Sequence, residues 1–362
     1  MKIEQVNVEP IAGLVEQLWE AGGTDIHLCA GAPPMFRLDG ELQPADDSAL
    51  TPAEIEQIIT AMLPPAAVDQ LITQSQVDFA FSWRETARFR GNAFRQRGVL
   101  SLALRAIPFQ IPTLEELLLP PVIGSLAPQR QGLVLMTGPT GSGKSTTQAA
   151  IIGEINRSSR RHVLTLEDPI EYVHRNDLSL VSQREVGFDV PSFADGLKAA
   201  LREDPDVVLV GEMRDPESIA TTLTIAETGH LVFATLHTND ASTALDRIID
   251  VFPSERQGQV RVQLAASLSA VIAQRLLPAT EGGMIAAFEI LLANQAIRSL
   301  IREGKTHQIR NVVSQSVRDG MQTLEQSLSV LVANGLVSYE DAITRAVVPK
   351  DVRGAPSPAA TA

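Results

Sequence analysis

The stretch GLVLMTGPTGSGKSTT, residues 132–147, decides how the rest of the chain is read. It opens with Leu133, Val134, Leu135 and Met136, an apolar run of the length of a buried strand. Gly138-Pro139-Thr140-Gly141-Ser142-Gly143 then makes a glycine-rich turn, closed by Lys144-Ser145-Thr146. The spacing G-x-x-x-x-G-K-S is that of a phosphate-binding loop. Glycines there let successive backbone N–H groups turn inward onto an anion, and the next helix adds the positive end of its dipole. In that geometry Lys144 reaches the β- and γ-phosphates of ATP, and the Ser145 hydroxyl is placed to ligand Mg²⁺. Apolar spacing over residues 146–155 predicts the helix that such a loop needs. The plain alternative, a glycine turn joining a strand to a helix, explains neither the lysine nor the spacing.

Such a loop says little about what the nucleotide is used for, so three further segments carry the argument. In Thr165-Leu166-Glu167-Asp168-Pro169-Ile170-Glu171 a predicted strand runs into three carboxylates around a proline. Strand ends of an open α/β sheet face the ligand crevice, where a carboxylate can polarise an attacking water or hold a metal through water. In residues 206–215 the apolar run Val207-Val-Leu-Val210 is followed by Gly211 and Glu212. A buried strand followed by an acid is the second nucleotide motif, with Glu212 in the acidic place and Gly211 where an aspartate is usual. Residues 226–240 set His230 and His237 on either side of one short apolar strand. Two histidines so placed in a nucleotide domain predict a γ-phosphate sensor, whereas a lone one would read as structural.

The chain has 362 residues, 44% of them hydrophobic, which suits a globular protein of two or three domains. A net charge of −13 and an aromatic content of 4% argue against nucleic acid as the partner. Cys29 is the lone cysteine, which excludes an intramolecular disulfide framework and a cysteine-only metal site. No uncharged apolar run approaches the ~18 residues needed to cross a bilayer, so the expectation is a soluble cytoplasmic protein with no direct membrane insertion.

Along the chain, residues 1–107 read as a small mixed domain. Apolar spacing predicts a helix over 8–19, and alternation predicts a strand over 25–29 and a hairpin around Asp39-Gly40. Thr51-Pro-Ala-Glu54 has the form of a helix cap. Strand-like runs follow at 77–83, 87–95 and 99–107. That last group carries Arg84, Arg88, Arg90, Arg95, Arg97 and Arg105, and period-two alternation puts Arg88 and Arg90 on one face. A solvated strand face and an arginine offered to phosphate are both open readings of this set. A proline-bounded connector, Pro108 to Pro112, opens a linker over 108–118 and marks a domain boundary. Beyond it, apolar strands alternate with helical stretches over 119–350, which implies a parallel sheet covered by helices. From residue 285 onward the pattern reads as mostly helical. Residues 351–362, rich in small residues, read as a disordered tail.

The segments GPTGSGKSTT, TLEDPIEYVH, SQREVG, GEMRDPESI, AETGHLVFATLHTNDA, GMQTLEQSL and AIRSLIRE together resemble the PilT family, the retraction ATPases of type IV pili within the secretion ATPases. The resemblance runs from about residue 24 to 348. It implies a PAS-like α+β N-terminal domain, a RecA-like α/β P-loop ATPase domain with a helical C-terminal part, and a homohexamer. It implies Mg-dependent ATP hydrolysis that drives pilus retraction and twitching motility. The expected location is the inner face of the bacterial cytoplasmic membrane, with a membrane platform protein and paralogous pilus ATPases as partners. Residue by residue, it makes Glu171 the general base, Glu212 the Walker B acid, and His230 and His237 the His-box pair. Arg88, Arg90 and Arg105 become candidate arginine fingers. Ala296, Ile297, Arg298, Leu300, Ile301, Arg302 and Glu303 match a retraction motif in which Ser299 replaces asparagine. Gln148 stands where leucine is usual. The alternatives are an accessory retraction paralogue, or an assembly or type II secretion ATPase. The latter typically carries a four-cysteine zinc module, which a chain with only Cys29 cannot build.

Overall fold

A computed structural model of the protein describes residues 6–38, 40–84, 87–108 and 110–354. The chain divides into two compact units, Met1–Gln110 and Ile111–Ala362.

In the first unit α1 (Ala12–Glu20) precedes the short strands β1 (Asp25–Leu28), β2 (Met35–Leu38) and β3 (Glu41–Pro44). Then come α2 (Pro52–Met62), α3 (Pro65–Gln74) and the long strands β4 (Gln76–Trp83), β5 (Ala87–Gln96) and β6 (Val99–Pro108). The strands form one antiparallel sheet in the order β3-β2-β1-β6-β5-β4. One face is apolar: Phe79, Phe89, Leu102 and Leu104 pack under Val15 and Leu18 of α1 and Ile55 and Ile59 of α2. The expected cap at Thr51 is a full capping box, with the Glu54 N–H donating to Thr51 Oγ1 and the Thr51 N–H to Glu54 Oε2. β2 and β3 pair as the expected hairpin, although Asp39 of its turn lies outside the described residues. Helix α3 has no counterpart in the sequence reading: its Gln- and Thr-rich outer face leaves Ala67 and Leu71 as its buried anchors.

The second unit opens with the short α4 (Pro121–Gly124), then β7 (Gly132–Thr137), α5 (Lys144–Ser158), β8 (His162–Glu167) and β9 (Leu180–Glu185). It continues through α6 (Phe193–Ala200), β10 (Val207–Val210), α7 (Pro216–Glu227), β11 (Leu231–Leu236), α8 (Ala241–Asp250) and α9 (Ser254–Ser267). β12 (Leu268–Pro278) and β13 (Met284–Leu292) then lead into α10 (Gln295–Arg302), α11 (Ile309–Gln315), α12 (Leu324–Ala333) and α13 (Tyr339–Arg345). The sheet order is β13-β12-β7-β11-β10-β8-β9. Pairing is parallel from β9 to β12, and only β12 with β13 is antiparallel. Every residue of β7, β10 and β11 is buried, because helices cover both faces.

Parts of this unit depart from the expectation. Residues 284–292 are a strand, not the start of a helical region. Their run Ile-Ala-Ala-Phe-Glu-Ile-Leu-Leu has no period that separates a buried strand from a buried helix. β9 went unread because its outer edge is partly exposed and its residues Gln183, Arg184 and Glu185 are polar. At the C-terminal end, residues 355–362 of the expected tail lie outside the described residues. Val352, inside its expected span, is 4% exposed and packs with Leu328 and Val332 of α12, so the fold extends past the predicted boundary.

Candidate active site

The loop between β7 and α5 sits at the carboxyl end of the parallel strands, where the sheet leaves a crevice. Gly138, Gly141 and Gly143 all have positive φ, at +143°, +75° and +84°. Gly138 is fixed by space as well, since a Cβ there would lie 2.3 Å from the Gln274 carbonyl oxygen of β12. Lys144, the first residue of α5, is 8% exposed. Its Nζ donates to the carbonyls of Gly138 at 2.7 Å and Pro139 at 2.9 Å, across the mouth of the loop. Burial lowers the Lys144 pKa, and the nearby Glu171 carboxylate pulls it back up.

A cavity of about 430 Å³ opens over this loop. Thr140, Gly141, Ser142, Gly143, Lys144, Ser145 and Thr146 form its floor, and Glu167, Asp168, Glu171, Glu212 and His237 its walls. Of the residues that the sequence marked, the structure therefore brings together residues 140–146, Glu171, Glu212 and His237. Gly138 and Pro139 stand just behind the floor and hold Lys144.

The three carboxylates after β8 differ in kind. Glu167 is turned inward, accepting from Thr165 Oγ1 at 2.6 Å and from Gln183 Nε2 at 3.0 Å, and burial raises its pKa. Glu171 is exposed to the cavity. The next residue, Tyr172, shares a hydroxyl hydrogen bond with Thr146 Oγ1 at 3.0 Å, which pins the acidic loop to the first turn of α5.

Glu212 is 15% exposed and ion-paired with Arg214, whose Nη2 donates to Oε2 at 2.7 Å. The displaced glycine before it has a spatial cause. Gly211 N–H donates to Leu166 O at 2.7 Å, and a Cβ at Gly211 would lie 3.1 Å from the Glu167 Cα. A side chain here would push β10 off β8. His237 Nε2 lies 3.6 Å from Glu212 Oε2. Burial, then the charges of Lys144 and Arg214, lower the His237 pKa, so the ring is neutral near pH 7.

His230 is not in this cavity. It precedes β11, whose six residues put it roughly 20 Å from His237 at the opposite edge of the sheet. Its Nδ1 lies 3.0 Å from Ile225 O and 3.2 Å from Thr228 Oγ1, closing the turn from α7 into β11. The pairing of two histidines was a matter of sequence distance alone, since a strand carries its two ends to opposite edges.

The three arginines belong to the first unit. Arg88 and Arg90 point away from its core, while Ala87 and Phe89 between them are buried. Arg90 is registered against Arg105, and Arg105 against Asp25. The Arg105 Nε donates to Asp25 Oδ1 at 2.7 Å, and Arg37 Nε stands 3.8 Å from the other Asp25 oxygen. One nearly buried carboxylate thus anchors part of a basic sheet face.

Residues 296–303 form α10 and its cap, with Ile297 and Ile301 fully buried and Leu300 packed beside them. Arg298 does not face solvent as an amphipathic helix would have it. Its guanidinium donates to the carbonyls of Ala265 and Ala266, at the end of α9, and to Leu268 O and Ala293 O. Ser299 Oγ donates to Glu303 Oε1 at 3.2 Å, so the change from asparagine leaves the helix intact.

Sequence reasoning gave no role to four side chains at the site. Gln274 braces the loop from β12, and Gln183 reaches the acidic loop from β9. Gln148 and His174 line the cavity, and Gln148 Nε2 and His174 Nδ1 have no hydrogen-bond partner among the described residues. Only Gln148 had a signal, as a polar residue in the buried face of a helix.

A phosphate loop opening a helix at the carboxyl end of a parallel sheet, with acids on the neighbouring strand ends, defines a P-loop nucleotide-binding α/β protein. The family model described as "Type II/IV secretion system protein" matches residues 121–344. The chain is 45% identical over 330 residues to the type IV pilus retraction ATPase PilT of Pseudomonas aeruginosa, covering 91% of this chain and 96% of that protein. It is 41% identical over 341 residues to the type IV pilus ATPase PilU of the same organism, covering 94% and 89%. A crystal structure of the pilus retraction motor PilT with bound ADP superposes with a TM-score of 0.88 at 47% identity, covering 94% of this chain and 98% of that one. The chain belongs to the type II/IV secretion system protein family, in its PilT-like branch.

Proposed function

We propose that this chain is an ATP-hydrolysing motor that drives type IV pilus retraction and so twitching motility. The observation that carries the reading is the meeting of Lys144, Glu171, Glu212 and His237 in one cavity, in a chain so similar to PilT over nearly its whole length.

Backbone N–H groups of residues 140–145 cradle the phosphates, and Lys144 turns from its loop carbonyls to the β- and γ-oxygens. Glu171 accepts the proton of the attacking water. His237, neutral and beside Glu212, reads the γ-phosphate through its ring N–H. Phosphoryl transfer to water needs no covalent intermediate, so catalysis is positioning and charge stabilisation. A Mg²⁺ ion would suit the donors present: the Ser145 hydroxyl would ligand it, and Glu212 would hold it through water. When bound, the ion neutralises charge developing on the phosphates.

The motor works as a homohexamer with nucleotide between subunits, and Arg88, Arg90 and Arg105 are the candidates for arginine fingers supplied by a neighbour. Its partners are an inner-membrane platform protein and paralogous pilus ATPases, met at the inner face of the cytoplasmic membrane. Residues 296–303 transmit the stroke. Arg298, which ties α10 to the end of α9, makes these helices move together.

Deletion of the gene tests the reading. Hyperpiliated, non-twitching cells rescued by the wild type but not by Lys144→Ala are expected; bald cells would point to assembly and overturn it.

A further inference from the structure

We propose that Gln183 is a positioning residue for Glu171, a role that rests on Glu171 being the general base. Gln183 lies on β9, the edge strand beyond β8, and among the described residues it neither lines the cavity nor hydrogen-bonds to the phosphate loop. Its amide is instead spent on the acidic loop. Nε2 donates one hydrogen to Glu167 Oε1 at 3.0 Å and the other to Tyr172 O at 2.9 Å. Oε1 accepts from the His174 N–H at 2.7 Å. Two positions along β9, Glu185 Oε2 accepts from the Ile170 N–H at 3.2 Å.

Glu171 thus sits between backbone groups that are all tied to one strand. Ile170 is held before it, and Tyr172 and His174 after it. The Tyr172 hydroxyl fixes the same segment to Thr146 on α5. The Glu171 side chain itself projects into the cavity, so its aim is set by the loop backbone. Only an amide meets this set of partners. Leucine would leave Tyr172 O and the His174 N–H unpaired inside the protein. Glutamate would keep the size but lose both donors, and would place a second carboxylate against the buried Glu167. This also gives the SQREVG segment a physical task, since two of its side chains, Gln183 and Glu185, hold the loop that bears the base.

The test is steady-state and single-turnover ATP hydrolysis by the full-length chain. It compares Gln183→Leu, Gln183→Glu, Glu171→Gln and the double variant Gln183→Leu/Glu171→Gln, with ADP affinity and melting temperature measured alongside. Each Gln183 variant should lower kcat by about 10- to 100-fold, the scale of a misplaced catalytic group. ADP affinity should stay within about threefold, because the phosphate loop is untouched. The double variant should be no slower than Glu171→Gln alone, since Gln183 acts only through that carboxylate. Gln183→Glu matches the native side chain in size and keeps the experiment valid if the leucine variant folds poorly. Wild-type kcat in both Gln183 variants while Glu171→Gln is inactive overturns this proposal and leaves the base assignment standing. So does a double variant slower than Glu171→Gln by the full single-variant factor. Wild-type turnover in Glu171→Gln removes the base assignment, and this role with it.

Discussion

Thr147 and Gln274, 127 positions apart in the chain, meet inside the protein: the Thr147 hydroxyl donates to Gln274 Oε1 at 2.9 Å. Both are nearly inaccessible, at 1% and 2% exposure. The contact joins the first turn of α5 to β12, the strand whose backbone also packs behind Gly138. Gln274→Leu would leave a buried hydroxyl without its acceptor, at a cost of about 1–3 kcal/mol. The variant should melt a few degrees lower and bind ADP more weakly, by calorimetry and titration. Unchanged melting and unchanged affinity would remove Gln274 from the support of the loop.

Lys144 is buried against its own loop and faces Glu171 across the cavity. Lys144→Ala removes the ammonium that the phosphates need and should slow ATP hydrolysis by about 10²- to 10³-fold. Phosphate release measures it. A rate within about threefold of wild type would mean the charge is supplied elsewhere.

Much of this was legible in the sequence because glycine and charge carry strong local meaning. The spacing around Gly138 and Lys144 fixed a strand, a turn and a helix at once, and Glu171 and Glu212 stood at the ends of readable strands. What could not be read depends on contacts distant in sequence. Gln183 and Gln274 are polar residues whose partners are set by sheet order, and no local period announces them. His230 misled for the same reason: closeness to His237 along the chain is distance across the sheet. β13 fell within the region that reads as mostly helical, because a run buried on both faces has lost the alternation that marks a strand.

Gln148 buries an amide on α5 with 4% exposure and no partner for its Nε2 among the described residues. An unpaired buried donor costs about 1–3 kcal/mol. Gln148→Leu, which restores an apolar side chain of similar size, should therefore raise the melting temperature by a few degrees. A lower melting temperature would show that the amide makes a needed bond to solvent within the cavity.

His174 gives the acidic loop a dependence on pH. Burial, with the Arg157 charge added to it, brings its pKa down from 6.5 to about 4. The folded protein keeps the ring neutral while the unfolded chain takes up a proton below pH 6.5. This contribution is complete above 6.5 and is lost as pH falls from there through about 4. His174→Asn cannot titrate. Between neutral pH and about pH 4.5 the wild type should lose melting temperature more steeply than the variant. Parallel curves would contradict the shift.

The claim on which the account turns is that this cavity splits ATP with Glu171 as the base. Phosphate release by the purified chain, wild type against Glu171→Gln, with ADP affinity measured on the same samples, tests it directly. The account predicts steady turnover in the wild type, a loss of about 10²-fold or more in Glu171→Gln, and ADP affinity nearly unchanged. Turnover in Glu171→Gln equal to the wild type, or a wild type that binds nucleotide and never hydrolyses it, would contradict it.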